Sequence, residues 1–194
     1  MYTKLASFFA QKLIRVGSVK EEQRDVYEYG LEILLADIGY LIIFLLFATV
    51  TSTMLQSLFF LVGFILLRRF AGGYHANTYT KCHIMFLINQ MIFTAIIKFV
   101  PEHFYFTLII SLVSISLVVI WMLAPVDNNT RRFIKNEYNI FRRKSRIYSV
   151  VILIMTVTVL FFSKFYSVYI CYTLGLFSAA CSIIAGSIQR KIAD

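Results

Sequence analysis

Residues 31–50 read LEILLADIGYLIIFLLFATV, twenty positions of which only Glu32 and Asp37 are charged. An α-helix rises ~1.5 Å per residue and the hydrocarbon core of a bilayer is ~30 Å thick, so a run of this length and composition is a membrane-spanning helix. Outward from it, further apolar runs follow at 54–67, 84–100, 104–124, 147–162 and 166–186, separated by short polar stretches. The chain of 194 residues is 59% hydrophobic and only 15% charged, with a mean hydropathy of +0.76. A water-soluble domain of that composition would expose large apolar patches. The expected fold class is therefore all-α, a polytopic membrane protein of about six transmembrane helices with an amphipathic N-terminal helix. The run at 54–67 is short for a crossing and also fits a re-entrant or half-buried helix.

Lysine and arginine give the orientation. With the N-terminus in the cytoplasm, 17 of the 19 basic residues fall in inside segments. These are Lys4, Lys12, Arg15, Lys20 and Arg24; Arg68, Arg69 and Lys81; Arg131, Arg132, Lys135, Arg142, Arg143, Lys144 and Arg146; and Arg190 with Lys191. Lys98 and Lys164 lie near the outer ends of their helices, where a long stem reaches the headgroups. Removing the 54–67 crossing would put two large basic groups outside, so the charge bias favours keeping it. The expected topology is multi-pass with both termini and the loops 68–83 and 125–146 cytoplasmic. This bias also accounts for the net charge of +9, so no nucleic-acid partner is implied.

The chain reads as one domain, 1–194, with interfacial or cytoplasmic helices at 1–29 and the membrane region at 31–186. Leu5, Phe8, Phe9, Leu13 and Val16 share one face of the first helix, the pattern of a helix lying on a membrane surface. Gly17 should end it, and Ser18 with Glu21 has the spacing of a capping box that starts the next helix. No secretory signal peptide is expected, because 1–29 holds charges throughout and no apolar core before a small-residue cleavage site. Asp37 lies in hydrocarbon and needs a polar partner or cavity, with Asn89 and Gln90 as candidates. Cys171 and Cys181, ten residues apart on one apolar helix, are too far apart for a disulfide. Small residues in the last span, Gly175, Ser178, Ala179, Ser182 and Gly186, allow close helix packing, either between two copies or within one chain.

The stretch RRFAGGYHANTYTKCH, residues 68–83, is where a thiol, imidazoles, arginines and paired glycines come together. A thiol becomes a good nucleophile as the thiolate, and an imidazole can take the thiol's proton and later protonate a leaving amine. On one unbroken helix His75 and Cys82 would stand ~10 Å apart, so direct pairing needs a bend, for which Gly72 and Gly73 supply the freedom. Arg68 or Arg69 could hold a carboxylate or stabilise negative charge. Spacing alone leaves three readings open: a catalytic pair, a metal site of His75, Cys82 and His83, and a structural loop turned by glycines.

The string RRFAGGYHANTYTKC resembles the signature of the AgrB family, membrane endopeptidases of Gram-positive bacteria that process quorum-sensing propeptides. The apolar runs, the amphipathic N-terminus, and APVD at 124–127 followed by a basic run ending KSR at 144–146 are also similar to that family. Relatives commonly carry prolines after APVD, where this chain has NNTRRF at 128–133. The resemblance implies Cys82 as nucleophile, His75 as its histidine partner, and Arg68 and Gly73 as supporting residues. It further implies a short AgrD-like propeptide as substrate, thioester chemistry without metal or cofactor, and a homodimer in the bacterial cell membrane. The family's cleaved tails tend to be acidic, for which Arg131, Arg132, Arg142, Arg143 and Lys144 form a dock, although positive-inside topology and anionic lipid explain the same charges. His83 is read as interfacial. The alternative function is a non-enzymatic small peptide transporter whose Asp37, Asn89 and Gln90 line a path; no internal repeat of the kind such transporters carry is evident.

Overall fold

A computed structural model of the chain describes residues 2–74, 78–126 and 135–193. Among them are seven α-helices and no named strand: α1 (Tyr2–Arg15), α2 (Arg24–Val50), α3 (Met54–Ala71), α4 (Tyr79–Phe99), α5 (Tyr105–Leu123), α6 (Lys135–Leu160) and α7 (Tyr166–Ala193). Five stretches are long and apolar enough to cross a membrane: Glu21–Val50, Met54–Ala71, Thr80–Phe99, Glu102–Leu123 and Tyr166–Lys191. The protein is thus an all-α membrane protein, as its composition requires. α3 is not the short segment expected at 54–67, because it continues through Arg68, Arg69, Phe70 and Ala71 to a full 18 residues. α6 is built differently. Its first half carries Arg142, Arg143, Lys144 and Arg146, so only its second half is continuously apolar.

The chain divides into two compact units, Met1–Val50 and Thr51–Asp194. In the first, α1 folds back on α2. Ala6 and Ala10 are buried between them, and Thr3 Oγ1 donates to Glu32 Oε1 at 2.9 Å. Tyr2 Oη comes so close to Gly39 that a Cβ there would lie 2.8 Å away. One small residue per turn on α1 permits this approach. Leu5, Phe8 and Phe9 are left on the outer face, where lipid was expected to meet them. Gly17, at φ +75°, ends α1. The expected Ser18–Glu21 capping box does not form: a 3-10 turn begins at Glu21 after an uncapped Lys20. Glu21 instead lies 3.6 Å from Arg24, one turn on.

In the second unit α7 is the central helix, with Ile170, Cys171, Thr173, Leu176, Ala179 and Ile183 fully buried. Its neighbour α3 runs parallel to it in near backbone contact. A Cβ on Gly63 would lie 2.3 Å from the Tyr172 carbonyl oxygen, and one on Gly175 would lie 2.0 Å from that of Phe60. The small residues of the last span therefore pack helices within one chain. α4 runs antiparallel to α3 behind an aromatic cluster, with Phe93 4.6 Å from Phe60 and Phe86 4.7 Å from Phe64 between ring centroids. α6 runs antiparallel to α7, where Thr156 meets Tyr169 and Tyr148 meets Tyr172, each hydroxyl pair at 2.8 Å. Trp121 Nε1 donates to Ser149 Oγ at 2.9 Å and joins α5 to α6.

This alternation brings the C-terminal ends of α3, α5 and α7 and the N-terminal ends of α4 and α6 to one end of the unit. Arg68, Arg69, Lys81, Arg142, Arg143, Lys144, Arg190 and Lys191 sit on those ends. Lys98 closes α4 at the opposite end, and Lys164 lies in the turn between α6 and α7, 5.3 Å from the Phe165 ring centroid. The charge asymmetry read from the sequence is therefore an asymmetry of the folded unit. Cys82, Cys171 and Cys181 are all free thiols.

Candidate active site

The motif at 68–83 is built by three elements of the second unit. α3 stops at Gly72, whose φ of +72° is left-handed and whose N–H donates to the Arg68 carbonyl at 3.1 Å. Gly73 follows at φ +136°. Two successive positive-φ residues turn the chain out of the helix, a path that side chains with a Cβ resist. Space enforces the same choice. A Cβ on Gly72 would lie 2.3 Å from the Val126 carbonyl oxygen, and one on Gly73 would lie 2.7 Å from Ser182 Oγ.

The turn is pinned from both sides. On one side Val126, just beyond α5, donates its N–H to the Ala71 carbonyl at 2.9 Å and forms a parallel bridge with Gly72. On the other, α7 takes the Tyr74 N–H on the Ser182 carbonyl at 2.8 Å. Arg68 closes the arrangement by donating from Nη1 to Ser182 Oγ and from Nη2 to the Tyr74 carbonyl. Its guanidinium also lies 5.6 Å from the Phe64 ring centroid. A planar fork with donors at fixed angles suits two acceptors on different elements, which a lysine cannot reproduce.

Beyond the turn the chain re-enters a helix at Tyr79. Thr78, in extended conformation, is its N-cap and accepts from the Lys81 N–H. Cys82 therefore belongs to the first turn of α4, its own N–H bonded to the Thr78 carbonyl at 3.2 Å. The thiol is half-buried and free. The loop expected to reach His83 is thus shorter, ending at Thr78, because Tyr79 to His83 already follow the capped helix. His75 lies outside the described residues, between the pinned Tyr74 and the cap at Thr78. Thr78, in extended conformation, interrupts any helix that would run on toward Cys82 from before it.

Of the other expected residues, Arg142, Arg143 and Lys144 are exposed on α6, whereas Arg131 and Arg132 lie outside the described residues. Tyr148, little more than one helical turn beyond Lys144, packs its ring 5.9 Å from that of Phe70, two residues before the glycine turn. Arg146 is drawn over Trp121, 5.0 Å from the ring centroid. Gln90 is fully buried on α4. Ser182, Gly186 and Val126 carry no sequence signal that ties them to this site, since only the fold brings residues so distant in sequence to the turn. Gly186 and Ser182 were visible as members of a small-residue stripe.

The profile of the AgrB family, accessory gene regulator B, matches residues 3–185. The chain belongs to this family. It is 23% identical over 172 residues to AgrB-like protein 2 of Clostridium perfringens, covering 86% of this chain and 80% of that protein. It is 27% identical over 131 residues to accessory gene regulator protein B of Staphylococcus epidermidis, covering 66% of this chain and 68% of the relative. No solved structure matches. Family membership agrees with the motif and with the helical membrane architecture, and it spans both structural units.

Proposed function

We propose that this AgrB-family chain is a membrane cysteine endopeptidase that cleaves the C-terminal tail from an AgrD-like quorum-sensing propeptide and promotes its cyclisation. The observation that carries the reading is the placement of Cys82 in the first turn of α4, directly after a glycine turn pinned by Arg68. Helix N-termini favour negative charge, which suits a sulfur that must act as thiolate. The reaction begins with the Cys82 sulfur attacking a propeptide carbonyl. A carbon–sulfur bond forms, the peptide carbon–nitrogen bond breaks, and His75 delivers a proton to the departing amine. A cysteine or serine inside the peptide then attacks the thioester, forming the ring and freeing Cys82.

Ring closure competes with hydrolysis, so the site has to hold the internal nucleophile close and limit water. The test is mass analysis of products from the full-length protein reconstituted in vesicles with its propeptide. A released tail and a ring lighter by one water than the linear peptide are expected. Tail release with only linear peptide would make the protein a hydrolase without the cyclising step, and no tail release would overturn the reading.

In this reading both termini and the two loops face the cytoplasm, with the 17-to-2 distribution of basic residues as support. Single cysteines introduced at Ser52 and Ser163 are expected to react with an impermeant thiol reagent in intact cells, and one at Asn136 is not. The reverse labelling would invert the topology.

Arg142, Arg143 and Lys144 are the proposed dock for an acidic tail. Their exposure supports this, as does the Tyr148–Phe70 contact that holds α6 beside the glycine turn. Replacing all three with glutamine is expected to weaken tail cleavage at low salt while insertion continues. The difference from wild type should shrink as salt rises, because exposed charges are screened beyond ~8–10 Å. Equal cleavage at low salt would leave the run as a topology signal alone. A homodimer belongs to the same reading through the family resemblance; the small residues Gly175, Ser182 and Gly186 already pack within the chain and give it no support.

A further inference from the structure

We infer that Ser182 and Gly186 of α7 are positioning residues for the proposed reaction, holding the glycine turn at Gly73 and Tyr74 that leads from Arg68 toward the helix of Cys82. The inference rests on the endopeptidase reading above. Ser182 meets the turn twice: its carbonyl accepts from the Tyr74 N–H at 2.8 Å, and its Oγ accepts from Arg68, which also binds the Tyr74 carbonyl. Both backbone polar groups of Tyr74 are therefore tied, one directly to α7 and one through Arg68. Gly186, one helical turn on, forms the floor. A Cβ there would lie 2.8 Å from both the Gly73 carbonyl carbon and the Tyr74 nitrogen. Backbone atoms cannot swing away as a side chain can, so any side chain at 186 displaces the turn itself.

α7 is suited to this task because it is the most buried helix of the unit, locked against α3 by Gly63 and Gly175. A side chain displaced by ~1 Å can cost a reaction on the order of 100-fold, since reacting groups must be held at near-contact geometry. The turn is thus referenced to the rigid centre of the molecule. Residues more than 100 positions away in sequence hold it, the Arg68–Ser182 pair being 114 apart.

The experiment compares the full-length protein in vesicles, wild type against Gly186→Ala, Ser182→Ala and the α7 surface control Ile188→Ala, with the propeptide as substrate. Gly186→Ala is expected to lower kcat for tail release by about 10- to 100-fold with KM little changed. Ser182→Ala, which removes only the hydroxyl, should lower kcat by about 3- to 10-fold, the scale of one ordinary net hydrogen bond. Hydrogen exchange at the Tyr74 amide should quicken in Gly186→Ala while amides of α7 before residue 182 stay protected. Ile188→Ala should match wild type. Should Gly186→Ala fail to insert, Ser182→Ala carries the test by the same two measurements. Wild-type kcat and wild-type Tyr74 exchange in Ser182→Ala and in any inserted Gly186→Ala would overturn the inference. Failure of the reading itself is distinguished by Cys82→Ala: if that variant still releases tail, the reading falls, whereas if it is inactive and the α7 variants are normal, only the inference does.

Discussion

Cys82→Ala is expected to abolish release of the propeptide tail, on the order of a 1,000-fold loss or more, with membrane insertion intact. The thiolate forms the only covalent bond to the peptide in this mechanism, so nothing remains to accept the acyl group. His75→Ala should cost nearly as much, because the leaving amine then departs without a proton donor. The double variant should be little worse than either single one, since residues that work as a unit are strongly non-additive. Cys171→Ala and Cys181→Ala should retain activity. Both thiols lie on α7, Cys171 fully buried and bonded to the Ser167 carbonyl, and Cys181 exposed on the helix surface. Retained cleavage by Cys82→Ala would move the nucleophile elsewhere or return the chain to the transporter reading, with Asp37 as its first test.

Gly63→Ala and Gly175→Ala are expected to be the most damaging changes outside the motif. Each puts a methyl group within 2.3 Å or 2.0 Å of a carbonyl oxygen on the facing helix, and backbone on both sides leaves no flexible atom to move. Overpacking of this kind costs ~1–3 kcal/mol when neighbours can relax, and more when helices must separate. Against a total stability of ~5–15 kcal/mol, either change should lower the melting temperature in detergent and reduce the yield of folded protein. Because the two sites share one interface, the double variant should depart from additivity. Unchanged melting in both would contradict the α3–α7 packing. Loss of a dimer with unchanged melting would assign these glycines to contacts between copies.

Most of the fold was legible because hydrocarbon imposes a length and a polarity that sequence shows directly. The run at 31–50 lies in α2, and Gly17 terminates α1. Boundaries were less legible where charge and helix coincide. Arg68 and Arg69 look like the start of a loop, yet they belong to α3, since a helix end at an interface tolerates arginine as readily as a loop does. Ser18 and Glu21 have the spacing of a cap but not its geometry. The burial of Ala6 and Ala10 against α2 is hidden in the sequence because the larger apolar residues of α1 dominate its pattern, although small residues decide which side a helix can approach.

At the site, residue types and the need for a bend before Cys82 were readable from 68–83 alone. What holds the bend was not. Val126 contributes backbone groups, which leave no trace in residue type, and Ser182 and Gly186 read equally well as generic helix packing. Arg68 shows the difference most clearly. Its charge suggested a bound carboxylate, whereas the fold gives it a hydroxyl of α7 and a carbonyl of the turn.

The central claim is an acyl-thioester on Cys82, and acid-quenched peptide mapping of the full-length protein during turnover of its propeptide tests it most directly. The expected result is an adduct on Cys82 equal in mass to the propeptide up to the cleavage site, removed by hydroxylamine and absent in Cys82→Ala. It should accumulate when the peptide's internal nucleophile is replaced by alanine, because ring closure can then no longer discharge it. Tail release with no adduct on Cys82 under those conditions, or an adduct on another residue, would contradict the account.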